Sequence, residues 1–313
     1  MTAERPAIVL TGATGMVGRP IALALVQRGE RVIALVRDVE RARPALPGVE
    51  LVAADLEDDG PWRTSLDGAR AIMHLAGEPI AGKRWDARHK QRVRDSRVES
   101  TRIIVEHLAS LPAERRPAVL VTASGADYYG FANRQMDDDD PVTENDPAGD
   151  SFLSRVCKAW EKEAAAAEPL GVRVVRMRCG IVIGKGGALD KMVTPFKLFV
   201  GGRIGSGEQW FSWISLDDAV AGYLAALDDE RYRGPVNLVT ESVRNRDLAR
   251  ALGKHVHRPS WLPVPAFALK AAVGEMAAYL LEGRRVIPAA LLRHGFTFTH
   301  PTLDAALTAA LSG

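Results

Sequence analysis

The residues Thr11-Gly12-Ala13-Thr14-Gly15-Met16-Val17-Gly18 have the composition and spacing of a turn that holds a pyrophosphate. Gly12 permits the tight turn, Gly15 lets the backbone approach the phosphates, and Gly18 allows close packing of helix on strand. A helix opening there offers unpaired N–H groups and partial positive charge, with Thr14, Met16 and Val17 lining the loop. Arg37 follows about twenty residues later, where an acidic side chain takes the ribose hydroxyls of NAD. A guanidinium there pairs instead with the extra phosphate of NADP. Asp38 beside it leaves the choice incomplete, and a solvated arginine is the plain alternative. Asp55 and Leu56 are candidates for the adenine, with an Asx-type turn as the competing role for Asp55. Leu75, Ala76 and Gly77 are small enough for a cofactor ribose to lie against them.

Those residues need a scaffold that brings them to one edge. Strand and helix periods alternate through the first two-thirds of the chain, the pattern of βαβ units and a parallel sheet covered on both faces. Strands are expected at residues 7–11, 31–36, 49–53, 71–75, 118–122 and 172–183, and helices at 15–28, 88–111 and 151–168. The fold class is therefore α/β, a Rossmann-type doubly wound parallel sheet. Residues 1–184 form the cofactor domain, with 214–240 returning to the sheet, while 185–213 and 241–313 make a smaller C-terminal cap. Asp137 to Asp140 read as a solvated loop, with cation binding the lesser alternative, and no metal site is expected.

The turn at Thr11–Gly18, His74-Leu75-Ala76-Gly77 and Thr122 to Gly130 together resemble the extended short-chain dehydrogenase/reductase superfamily. Gly77-Glu78-Pro79-Ile80, Tyr129-Gly130, Trp160-Glu161, Gly202 to Trp213 and Gly295-Phe296-Thr297-Phe298 resemble one branch more closely. That branch comprises sugar-nucleotide epimerase-like proteins with a small C-terminal domain of unknown function. The resemblance implies a nicotinamide cofactor and a Tyr-x-x-x-Lys pair with a Ser or Thr, the tyrosine exchanging a proton. No tyrosine here has a lysine four residues on. Spacing back from Glu161 puts Leu153 and Cys157 in the two positions, and Lys158 is one step off, about a hundred degrees round the helix. Ser124 is placed for the catalytic hydroxyl. Tyr128 and Asp127 are the nearby proton-exchanging groups, Tyr128 alternatively packing under a ligand and Asp127 capping a turn. A buried Cys157 reads as a core residue rather than a nucleophile.

Glu78, Lys83, Arg84 and Trp85 after the fourth strand face Gly205, Gln209, Trp210 and Trp213 of the cap as a candidate substrate wall. Lys83 and Arg84 suit an anionic group and the tryptophans a flat ring or sugar face, against solvated cations and core aromatics. Asp217-Asp218 reads as a helix N-cap, and Asn237 and Asn245 as turn residues. Lys+Arg at 41 against Asp+Glu at 39 gives a net charge of +2, so nucleic acid is not an expected partner. Two cysteines without metal spacing fit a reducing compartment, Met1 to Pro6 leave no room for a signal peptide, and the cytoplasm is expected. No apolar stretch is long enough to span a bilayer, so no membrane partner is expected. Helices beside the fourth and fifth strands make dimers in related folds, so a homodimer stays open. Two functions follow: an NADPH-dependent oxidoreductase or epimerase-like enzyme on a small carbonyl or hydroxyl substrate, or a non-catalytic NADPH-binding sensor or scaffold.

Overall fold

A computed structural model describes residues 5–83, 85–131 and 139–312. Among these residues ten strands run in chain order as β1 (Ile8–Thr11), β2 (Val32–Val36), β3 (Glu50–Ala53), β4 (Ala71–His74), β5 (Val119–Gly125), β6 (Arg173–Cys179), β7 (Ile181–Ile183), β8 (Trp210–Ser215), β9 (Gly234–Leu238) and β10 (Glu241–Arg244). Seven form one sheet in the order β3-β2-β1-β4-β5-β6-β9, every neighbouring pair parallel. This is a Rossmann-like doubly wound fold. The β-branched and aliphatic runs of β1 and β2 are buried throughout, as strands covered on both faces must be. β3, at the edge, is exposed at Glu50 and Ala53 and half-buried at Leu51 and Val52.

The principal helices are α1 (Gly18–Gln27), α2 (Val39–Ala42), α3 (Ala87–Ser110), α4 (Phe152–Ala165), α5 (Ala188–Lys197), α6 (Leu216–Asp228), α7 (Asn245–His255) and α8 (Ala266–Val273). One core packs Ile21, Leu25 and Leu227 of α1 and α6 on the sheet; a second packs Ile104 and Leu108 of α3 on the other face. α1 begins at Gly18 and not at residue 15, because residues 12–17 are the turn, closed by the Gly15 N–H on the Gly12 carbonyl at 2.9 Å. Gly29, at φ +75°, ends it.

Two expectations need correction. The sixth strand does not run unbroken over 172–183. Gly180 breaks it, because a Cβ there would stand 2.8 Å from the Ser212 carbonyl oxygen, and β7 leaves for a second sheet ordered β10-β8-β7. The fifth strand is longer than expected and carries Ser124 inside it, paired with Arg178 of β6. The small sheet covers a third core under α5 and α7, centred on Trp213. No helix of the described residues is long and apolar enough to cross a membrane.

Trp213 is fully buried and its indole N–H has no partner among the described residues. Urea denaturation of Trp213→Ala is expected to show a loss of about 3–5 kcal/mol. Trp261→Ala, at a side chain 77% exposed, is expected to stay within about 0.5 kcal/mol of wild type.

Candidate active site

The glycine turn lies at the carboxyl ends of β1 and β4, and the two strand ends are tied through one hydroxyl. Thr11 Oγ1 accepts the N–H groups of Leu75 and Ala76, each at 3.1 Å, and lies 2.7 Å from His74 Nδ1. Its own proton therefore goes to Nδ1, leaving the His74 Nε2–H to donate to Ser100 Oγ at 3.1 Å. Burial pushes the His74 pKa down to about 4, so the ring is neutral. Gly12, at φ +70°, sits so close to this junction that a Cβ would stand 2.8 Å from the Leu75 carbonyl carbon. A Cβ on Gly18 would overlap the Gly12 carbonyl oxygen.

At Gly15 a Cβ would meet only the Gly12 oxygen, at 3.1 Å, so its other side is open. The N-terminus of α1 has no side-chain cap and no acidic residue in its first turn. The Arg19 N–H is taken by the Gly15 carbonyl and Pro20 has none, but the N–H groups of Met16, Val17 and Gly18 have no hydrogen bond among the described residues and, beside an open glycine, fit a pyrophosphate. Val17 turns inward against the first core, and Met16 packs where Gly184 and Gly187 lack side chains. Thr14 stays exposed on the turn. Arg37 is exposed, with no hydrogen bond or ion pair among the described residues. The Asp38 carboxylate accepts the Arg41 N–H at 3.0 Å and caps α2. Asp55 accepts the Glu57 N–H at 3.2 Å, the Asx-type turn weighed above, and Leu56 packs on the second core.

Across the cleft, β6 and α4 meet at a buried ion pair. Arg178 grips Glu161 through two bonds, Nε to Oε1 at 2.8 Å and Nη2 to Oε2 at 2.9 Å. Burial opposes the Arg178 charge, and the bonds to Glu161 outweigh it. Ser124 donates its hydroxyl to Glu161 Oε1 at 2.7 Å. The Tyr128 ring stacks on Arg178, whose Cζ is 3.4 Å from the ring centroid. Arg178 Nη1 donates to the Tyr129 hydroxyl, which donates to Asn237 Oδ1. Burial raises the Tyr129 pKa, so that phenol keeps its proton.

A second group gathers at Gly125. A Cβ there would lie 3.3 Å from Asp127 Oδ2 and 3.5 Å from Cys157 Sγ. Burial raises the Asp127 pKa, with Arg97 pulling it the other way. Burial pushes Cys157 up to about 12, so it is a thiol and not a nucleophile at neutral pH. The Arg97 guanidinium fills the space a Gly77 side chain would need, 2.9 Å from the position of its Cβ. Leu153 is buried and Lys158 exposed, so α4 supplies neither half of the Tyr-x-x-x-Lys pair.

The expected substrate wall comes together only in part. Glu78 is bound by Lys83 at 2.6 Å, which holds its carboxyl below the usual range, with Arg92 at 3.8 Å. Arg84 lies outside the described residues, as do Asp137 and Asp138. Trp85 is a correction: it is 7% exposed, its N–H donates to the Ile80 carbonyl, and Phe152 and Tyr279 cover the indole. It is a core residue, as is Trp213. Trp210 is half-buried, with the Arg244 guanidinium 3.9 Å from its ring centroid. Gln209 donates to the Ile204 and Leu280 carbonyls and so braces the cap, while Gly205 turns the chain at φ +57°. The cap of α6 is Ser215; Asp218 accepts its hydroxyl and the Thr299 and His300 N–H groups, and Asp217 pairs with His300. Asn237 stands inside β9, not in a turn, and Asn245 accepts the Ile204 N–H. Among the described residues no cluster could hold a metal ion.

The family model of the NAD dependent epimerase/dehydratase family matches residues 8–238. The chain belongs to that family. A domain of unknown function, DUF1731, matches residues 264–310. The chain is 38% identical to the chloroplastic epimerase family protein SDR39U1 homolog of Arabidopsis thaliana, over 96% of this chain and 86% of the relative. It is 33% identical to the epimerase family protein YfhF of Bacillus subtilis, over 96% of each. Human epimerase family protein SDR39U1 (isoform 2), solved with NADPH, superimposes with a TM-score of 0.82 at 29% identity, covering 98% of this chain and 99% of that one. The family is NAD(P)-binding, and its extended short-chain fold is the one the sequence motifs resemble.

Sequence reasoning missed Arg97 and Arg178, neither of which it singled out. One signal was available: Leu153, Cys157, Glu161 and Ala164 share the buried face of α4, and a glutamate there requires a buried cation. Arg178→Ala leaves Glu161 buried and unpaired, and is expected to cost about 3–5 kcal/mol in urea denaturation. Asp127 gives a pH prediction with a definite sign. A carboxyl whose folded pKa is raised above 3.8 stabilises the fold below that pH and loses this contribution as pH rises through the folded value. Asp127→Asn is therefore expected to gain stability relative to wild type between about pH 4 and pH 7, read from denaturation midpoints.

Proposed function

We propose that this protein is an NADPH-dependent oxidoreductase or epimerase-like enzyme acting on a small substrate at a carbonyl or hydroxyl carbon. The observation that carries the NADP preference is the division of labour after β2. Asp38, the residue that could take a ribose diol, commits one carboxylate oxygen to capping α2, while Arg37 is exposed with its donors unpaired among the described residues. Gly12, Gly15 and the free N–H groups of Met16, Val17 and Gly18 would hold the pyrophosphate, and Leu75, Ala76 and Gly77 would lie against the nicotinamide ribose. Both thiols are free, as a reducing compartment such as the cytoplasm keeps them.

The bound cofactor supplies or accepts hydride; the chain must hold the proton. In place of a tyrosine–lysine pair, Asp127 carries that proton at its carboxyl oxygen, and burial keeps it there at a higher pH than an ordinary aspartate would. Tyr128 orients the substrate oxygen with a hydroxyl that has no hydrogen bond among the described residues, its ring fixed on Arg178. Ser124 acts as a positioning residue, since its hydroxyl proton is committed to Glu161. The same commitment favours the second reading, a protein that binds NADPH without turnover.

Oxidation of NADPH by a panel of aldehydes, quinones and keto-sugar nucleotides tests the reading at the nicotinamide absorbance band. Asp127→Asn and Tyr128→Phe are each expected to lower turnover about 10²- to 10⁴-fold while leaving NADPH affinity unchanged. Unchanged turnover would remove the substituted group from the mechanism, and tight binding with no oxidation by any compound would establish the non-catalytic reading. Arg37→Ala is expected to weaken NADPH roughly ten- to a hundredfold and NADH hardly at all, the loss of a charge-assisted pair. Equal loss for both would refute the phosphate role.

A further inference from the structure

Apart from Leu292, the exposed large apolar side chains of the described residues are not scattered. Leu198, Phe199 and Val200 follow α5, and Trp261, Leu262 and Phe267 lie before and on α8, with Trp261 and Phe267 each 77% exposed. Backbone bridges Gly202↔Trp261 and Ile204↔Val264 join the two segments into one face. α8 itself, Ala-Phe-Ala-Leu-Lys-Ala-Ala-Val, buries no residue at all. An apolar helix that buries no residue, packed chiefly on residues 274–281 that follow it and continuous with an exposed apolar loop, is a surface waiting to be covered. Phe199 and His257, the non-glycine residues with positive φ among the described residues, both stand on this face, at +62° and +53°. Backbone strain of that kind persists where a side chain must be held in place.

Charge identifies the occupant. Residues 191–203 and 254–270 contain no aspartate or glutamate. Lys191, Lys197, Arg203, Arg258 and Lys270 are exposed and have no carboxylate partner among the described residues; Lys254 alone is paired, with Asp304. The Arg258 guanidinium lies 4.7 Å from the Phe199 ring centroid, its stem along the apolar surface and its charge at the rim. A second copy of the chain on a two-fold axis would set these unpaired cations against one another, since Glu275 beside α8 is already taken by Lys90. Aliphatic and aromatic side chains ringed by unpaired cations match the acyl boundary and headgroups of an anionic bilayer.

We propose that this face docks peripherally onto an anionic lipid surface, with Trp261 and Phe267 entering the headgroup–acyl boundary and the ring of lysines and arginines meeting lipid phosphates. No span is involved. The proposal is independent of the cofactor reading.

Flotation of the full chain with vesicles of phosphatidylcholine, alone or with about 30 mol% phosphatidylglycerol, tests it. Wild type is expected to float with the anionic vesicles at low ionic strength, to stay in solution with the neutral ones, and to be released by about 0.5 M salt. Lys197→Gln with Lys270→Gln is expected to weaken binding about twenty-five-fold, each cation contributing roughly fivefold at such a surface. Trp261→Ala with Phe267→Ala is expected to weaken it by more than about tenfold. Since all four side chains are exposed, both double variants should keep the wild-type melting temperature and NADPH affinity. Absence of flotation with anionic vesicles, equal flotation with neutral ones, or flotation unchanged by both double variants would overturn the proposal. So would a wild-type dimer in sedimentation velocity that Trp261→Ala with Phe267→Ala converts to monomer, which would make a second copy the occupant.

Discussion

Burying the Arg178 guanidinium against Glu161 is the commitment on which the carboxyl edge of the sheet depends. Two charges removed from water are tolerated only when their geometry is good and their remaining donors are used. Here the pair is bidentate, and Ser124, Tyr129 and the Glu144 carbonyl take up the rest. One ion pair thereby locks α4 to β6, fixes the end of β5, and gives the Tyr128 ring a flat cation to rest on. Glu144 extends the same network, its carboxylate accepting the N–H groups of Asn237 in β9 and of Ala290 near the C-terminus. The cap is thus tied to the sheet through polar groups that cannot be left unsatisfied.

That arrangement also accounts for the missing tyrosine–lysine pair. The face of α4 that would present the pair toward a cofactor is instead apolar and ionic, with Leu153, Cys157, Trp160 and Glu161 turned inward. On the proposed enzymatic reading the exchangeable proton comes instead from the turn after β5, which packs on α4. The loop after β5 supplies Asp127, and α3 supplies a buried Arg97 in the space left by Gly77. Glycine at 77 and at 125 therefore does more than turn the chain: each makes room for a functional group from another element.

What was legible in the sequence is what depends on local rules. The turn from Thr11 to Gly18 could be read because glycines at fixed spacing between a strand and a helix have few other uses, and the parallel sheet because apolar runs alternate with amphipathic ones. The break at Gly180 was not legible, since only the approach of Ser212 from another strand forces it. Trp85 and Trp213 were placed on a substrate wall because an aromatic in a glycine-rich segment looks the same whether it packs inward or faces a ligand. Arg97 and Arg178 were passed over because burial of a charge is a tertiary event. The unpaired cations around α8 were equally invisible in a chain whose net charge is close to zero; two segments had to be brought together before the bias appeared.

The claim that the glycine turn and Arg37 make an NADPH site is tested most directly by titrating the wild-type protein with NADPH and with NADH while following nicotinamide fluorescence. The account predicts saturable binding of NADPH at least about tenfold tighter than that of NADH. No saturable binding of either nucleotide, or equal affinity for the two, would contradict it.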